Sequence, residues 1–71
     1  GSVDIITDGT LILNENGDRY YENVTYFTLN ATSGNNYTIY FSETVIMDFA
    51  GSGQKIEFKN LLNGVYRIET H

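Results

Sequence analysis

Gln54-Lys55-Ile56-Glu57-Phe58-Lys59-Asn60-Leu61-Leu62-Asn63-Gly64-Val65-Tyr66-Arg67-Ile68-Glu69-Thr70 decides the fold class of this chain. Ile56 and Phe58 alternate with Lys55, Glu57 and Lys59, so one face of the segment is apolar and the other charged. Tyr66 and Ile68 alternate with Val65, Arg67 and Glu69 in the same way. A period of two with one wet face is the pattern of antiparallel strands lying over a core. Between them Asn63-Gly64 supplies a turn, because glycine adopts positive φ freely and asparagine does so more readily than most residues. Leu61 or Leu62 can dip inward there and plug the end of the core. Tyr66 lies one residue into the last strand, where its hydroxyl can reach back to free backbone groups of the corner, as tyrosine corners do in β-sandwiches.

This Leu-x-x-Gly-x-Tyr corner resembles the penultimate-strand region of bacterial Ig-like and prealbumin-like modules, over residues 54–70. Such modules include the B-type repeats of Gram-positive adhesins and small β-sandwich domains appended to secreted or virion proteins. The resemblance implies a structural corner of Leu61, Gly64 and Tyr66, a non-catalytic role, and an extracellular, cell-surface or virion setting. The chain departs from the pattern in two ways. Those modules usually carry one more strand after the tyrosine strand, whereas this chain stops at His71. Adhesin repeats that form an internal Lys–Asn isopeptide bond place the lysine in an early strand. Here the only lysines are Lys55 and Lys59, both late, so that bond is not carried over.

Size and composition set the limits. At 71 residues the chain is one domain, burying about 60% of its unfolded surface. It has no cysteine for a disulfide and no zinc-ligand spacing, so its core rests on six tyrosines, four phenylalanines and the aliphatic residues. The formal net charge is −5. Arg19, Lys55, Lys59 and Arg67 are too scattered to form a phosphate-binding stripe, which excludes ordinary nucleic-acid binding. An acidic inhibitor of a nucleic-acid enzyme is a distant alternative, since such proteins usually show denser carboxylate runs. No segment approaches the roughly 20 apolar residues of a membrane span. Gly1-Ser2 reads as the remnant of a cleaved tag, leaving 3–71 as a single β-domain cut from something longer.

Along the chain, Val3–Thr7 and Thr10–Leu13 read as strands, the second with Leu11 and Leu13 on one face. Asn16-Gly17 within Asn14–Asp18 is a strong hairpin signal. Arg19–Ala31 is long for one strand, and its apolar parity shifts midway, which calls for a bulge near Tyr26 or two strands joined at Asn23. Ser33–Asn36 reads as a second hairpin turn. Tyr37, Ile39 and Phe41 then point inward, as do Val45, Met47 and Phe49 before the Ala50–Gly53 turn. The sum is about seven short strands with regular turn signals, an all-β antiparallel sandwich of Ig-like or prealbumin-like kind.

Function is less legible. The one histidine is terminal, there is no cysteine, and no serine lies in a nucleophile-elbow context, so no acid, base and nucleophile converge and no enzyme is expected. No cofactor is expected either. Asn14–Asp18, with Asp4 and Asp8, offers the oxygen ligands calcium prefers, but without the full alternating spacing; the plain reading is a polar hairpin, and no metal is assigned. Three sequons, at Asn23, Asn30 and Asn36, are what an Asn- and Thr-rich composition produces by chance. Tyr20, Tyr21 and Tyr40 form the candidate interaction surface. Adjacent Tyr20 and Tyr21 cannot both face inward, and Tyr40 opposes the parity of its own strand. An exposed tyrosine platform can meet a protein or stack on a glycan, although the absence of tryptophan disfavours the glycan. The loops at 14–18 and 33–36 would share in the contact. If the strand beyond Tyr66 is missing, the sheet also has an open edge there for a neighbour's strand.

The expected function is therefore a non-catalytic binding or structural module of a larger bacterial extracellular or phage virion protein. Its partner would be another protein or the rest of its parent chain. The alternative is a small virion assembly subunit, a decoration or connector protein acting by oligomerisation.

Overall fold

A computed structural model describes residues 4–71, so Gly1-Ser2, expected to be a tag remnant, and the Val3 start of the first expected strand lie outside the described residues. The strands are β1 (Ile5–Thr7), β2 (Thr10–Glu15), β3 (Asp18–Glu22), β4 (Phe27–Asn30), β5 (Asn36–Phe41), β6 (Thr44–Ala50), β7 (Lys55–Phe58) and β8 (Tyr66–Thr70). They form a three-stranded sheet of order β1-β4-β7 and a five-stranded sheet of order β2-β3-β8-β5-β6, antiparallel throughout. The two sheets pack as a small β-sandwich, with no helix among the described residues.

Alternation fills the space between the sheets. Phe27 and Leu29 enter from the smaller sheet, and Tyr21, Tyr37, Ile39, Tyr66 and Ile68 from the larger. Leu29, Ile39 and Ile68 are fully buried, each contributing about 1.5–3 kcal/mol. Rings supply the rest of the contact: Phe27 stacks on Phe58 at 4.5 Å, Tyr37 on Phe49 at 5.5 Å, and Phe41 tilts against Tyr66 at 4.8 Å.

Arg19–Ala31 resolves into two strands, the break falling at Asn23 in the left-handed region (φ 57°). There the chain leaves the larger sheet for the smaller one, which raises the strand number to eight. The crossover is clamped by the β1–β2 turn. Asp8 accepts hydrogen bonds from the Thr25 amide at 2.9 Å, the Tyr26 amide at 3.3 Å and the Thr25 hydroxyl. Gly9 lets this turn close, because a Cβ there would collide with Val24.

At the final corner the Tyr66 hydroxyl donates to the Leu62 carbonyl at 3.0 Å. Leu61 turns inward against the core while Leu62 is exposed. Gly64 is needed for space, since a Cβ would meet the Phe41 ring at 2.5 Å. The left-handed asparagine of this corner is Asn60 (φ 56°), earlier than the Asn63-Gly64 pair.

Four expectations change. The 33–36 segment is not a hairpin, because β4 and β5 belong to different sheets. The hairpins of the larger sheet are β2–β3, through Asn16-Gly17, and β5–β6, through Ser42-Glu43. Leu11 and Leu13 do not share a face: an extra residue, Ile12, lets Leu11 pair with Tyr21 on the inner face and Leu13 with Tyr20 on the outer. Ile46 does the same on β6, so Met47, itself exposed at the sheet edge, pairs with Ile39 on the inner side and Val45 with Tyr40 on the outer. Finally, β8 is no open edge, being paired with β3 on one side and β5 on the other. The free edges of the larger sheet are β2 and β6.

Candidate functional site

The outer face of the five-stranded sheet gathers the chemistry of this chain. Pairing across the strands aligns Leu13, Tyr20, Arg67, Tyr40 and Val45 in one row spanning the whole sheet. Directly opposed residues of antiparallel strands share a face, so these side chains emerge side by side. Arg67 is the centre. Its guanidinium lies 3.6 Å from the Tyr40 ring centroid and 5.7 Å from that of Tyr20. It bonds Glu43 at 2.8 Å and approaches Glu69 at 3.5 Å and Asp18 at 3.6 Å. The Arg67 side chain is only 15% exposed, and its Nε has no protein partner. Aromatic faces and carboxylates together fix this cation in place.

Parallel to that row runs a second one of Glu15, Asp18, Glu69, Thr38 and Asp48. Glu15 faces Asp18, and Asp18 faces Glu69, so three carboxylates stand directly opposite one another across three strands. Like charges in that relation destabilise a sheet. Thr38 interrupts the run. Its hydroxyl contacts Asp48 at 3.3 Å and the His71 ring at 3.1 Å, and His71 in turn lies 3.5 Å from Glu69. An open, polar depression of about 210 Å³ lies beside the β2–β3 hairpin, lined by Glu15, Asn16, Asp18 and Tyr20.

Of the three tyrosines marked in the sequence, the structure brings two together. Tyr20 and Tyr40 flank Arg67 on the outer face. Tyr21 does not join them: it is 9% exposed and faces Tyr66 inside the sandwich, where burial raises its phenol above the usual range. The 14–18 turn borders this face through Glu15 and Asp18, and the 33–36 segment reaches it only at Asn36, which exchanges backbone hydrogen bonds with His71. Leu61, Gly64 and Tyr66 stay at the corner, away from the outer face. Asn14–Asp18 forms a tight turn with Asn16 and Gly17 both at positive φ. Among the described residues no group of three or more His, Cys, Asp or Glu side chains is placed to hold a metal ion.

Arg67 was missing from the sequence-marked surface. Its signal was the parity of Tyr66 and Ile68, which sends Arg67 and Glu69 outward; the pairing of β8 with both tyrosine-bearing strands had no local signature. An open edge was expected beside the Tyr66 strand, whereas the free edges of this sheet are β2 and β6. Ile12, Leu13, Val45 and Ile46 are each 45–53% exposed on β2 and β6. Beyond this geometry nothing external bears on the site: no protein-family model, no curated protein and no solved structure matches the chain.

Proposed function

We propose that this domain is a non-catalytic binding or structural β-sandwich module of a larger bacterial extracellular or phage virion protein. It meets a partner protein, or the rest of its parent chain, through the outer face of the five-stranded sheet. The observation that carries this reading is the row of Tyr20, Arg67 and Tyr40 ending in exposed Leu13 and Val45. Tyrosine and arginine are the residues enriched at the centres of protein interfaces. Here they are held against one another before any partner arrives, which lowers the ordering cost of association. Because Arg67 occupies one face of Tyr40, less ring surface is left for a sugar, which favours a protein over a glycan. The extracellular or virion setting draws on the resemblance of residues 54–70 alone.

The test is site-specific photocrosslinking in the native host, with the reactive group placed in turn at positions 20, 40 and 59. Crosslinks to a common partner from 20 and 40, with none from 59, support the reading. A partner captured from 59 and not from 20 or 40 removes it.

A second reading, a virion assembly subunit acting by oligomerisation, draws on the edges. The free edges of the larger sheet each carry a single charged residue, Glu15 at the end of β2 and Asp48 on β6, whereas the shorter β7 edge carries both Lys55 and Glu57 with Lys59 beside them. Edges dense in charge resist strand addition, and largely apolar ones invite it. Sedimentation separates the two readings. Concentration-dependent association abolished by Ile46→Lys favours the assembly subunit, and a monomer at all concentrations favours the appended module.

A further inference from the structure

The net charge of −5 is not spread over the molecule. Glu15, Asp18, Glu22, Glu43, Asp48 and Glu69 all belong to the outer side of the five-stranded sheet, where Arg67 is the one lysine or arginine. That side alone therefore carries −5. Elsewhere the charges cancel: Asp4 is bridged to Arg19 at 2.7 Å, Glu57 lies 3.7 Å from both Lys55 and Lys59, and the remaining lysine charge offsets Asp8. One layer of the sandwich is acidic and the other is near neutral.

Solubility does not require this arrangement, because the same nine carboxylates distributed over both layers would serve. The sheet also sets Glu15, Asp18 and Glu69 directly opposite one another, at a cost in stability. Arg67 answers only part of it, reaching Asp18 and Glu69 but not Glu15. Alongside this row lies the apolar and aromatic one, whose ends at Leu13 and Val45 are half exposed. A face with an acidic row next to an apolar row complements a surface that presents lysine or arginine beside apolar side chains. It repels nucleic acid, anionic lipid and a second copy of itself approaching through the same face.

We infer that the partner of this face is a basic protein surface, rich in lysine or arginine with apolar anchors between them. This rests on the module reading above and adds the chemistry of the partner. Opposite potentials steer such an encounter and fix its register, while Tyr20, Tyr40, Leu13 and Val45 supply the contact area.

The inference is tested by selecting a displayed library of random peptides on the intact domain. Enriched peptides should carry an excess of lysine and arginine over aspartate and glutamate. Their affinity should fall at least about tenfold between roughly 50 and 300 mM NaCl, since screening removes the attraction of exposed charges. It should fall by a similar factor in the double variant Glu15→Gln/Asp48→Asn and stay unchanged in Glu57→Gln, on the opposite layer. The double variant removes like charges without removing an ion pair, so its thermal midpoint should hold or rise, which separates lost binding from lost folding. Peptides without a basic excess, peptides that bind the double variant as well as the parent, or no enrichment at all would each overturn the inference. A partner crosslinked from positions 20 and 40 whose contact is neutral and salt-insensitive would remove the basic partner and leave the module standing. Absence of those crosslinks removes the module itself.

Discussion

Tyr66 uses both ends of its side chain: the ring fills the core between Phe27 and Phe41, and the hydroxyl holds the Leu62 carbonyl. Tyr66→Phe keeps the ring and loses one hydrogen bond, so it should lower unfolding free energy by about 0.5–1.5 kcal/mol with an unchanged denaturant slope. Gly64→Ala should cost more, about 1–3 kcal/mol, because the new methyl must displace the Phe41 ring. Asp8 gives a pH signature. Hydrogen bonds from the Thr25 side chain and backbone, then from the Tyr26 amide, hold its carboxyl below the usual range, and the Arg19 guanidinium does the same for Asp4. A carboxyl lowered in the folded state stabilises fully above its unfolded pKa of about 3.9, and that stability is lost as pH falls through the folded value. Denaturation at a series of pH values should therefore show a loss below about pH 4 that is shallower in Asp8→Asn. The tyrosine corner was legible from spacing alone. The role of Asp8 was not, because its partners lie 17 and 18 residues away in sequence.

At the scale of elements, the sequence disclosed strands wherever a turn carried its usual residues. Asn16-Gly17 announced the β2–β3 hairpin, and both residues take the positive φ that a two-residue turn of this type demands. The β5–β6 hairpin went unseen because Ser42 and Glu43 hold the same turn at φ 47° and 66° without glycine or asparagine. Left-handed backbone is costly for such residues. Glu43 gains its bond to Arg67 from that position, which ties the strained turn to the outer face. Replacing the pair by Ser42→Asn/Glu43→Gly should raise stability by about 1 kcal/mol, read from chemical denaturation, with the Arg67 bond forfeited. A lower stability would mean that the Glu43 bond outweighs the backbone strain. The bulges at Ile12 and Ile46 were equally silent in the sequence. Each inserts one residue into a free edge and moves an apolar neighbour, Leu13 or Val45, from the inner to the outer face. Alternation alone cannot show that, since a one-residue slip reverses every side chain beyond it.

Across the whole molecule, the all-β sandwich followed from periodicity, whereas strand order did not. Which strands are neighbours depends on long-range pairing, and the placement of β8 between β3 and β5 is what joins Tyr20, Arg67 and Tyr40. The same pairing concentrates the negative charge on one layer, a property invisible in a net value of −5. Self-repulsion within that layer should make the fold salt-sensitive. The thermal midpoint should rise as NaCl increases from about 10 to 500 mM, because the screening length falls from about 30 Å to a few ångströms. The Glu15→Gln/Asp48→Asn variant should show a flatter rise, and a midpoint that falls with salt would contradict the assignment of repulsion to this face. The most direct test of the face as the contact surface is carbodiimide labelling of carboxylates, comparing the free domain with the domain in its native assembly. Glu15, Asp48 and Glu69 should be protected in the assembly while Glu57 reacts as it does in the free domain. Protection of Glu57 with unchanged labelling of the other three would place the contact on the opposite layer and contradict the account.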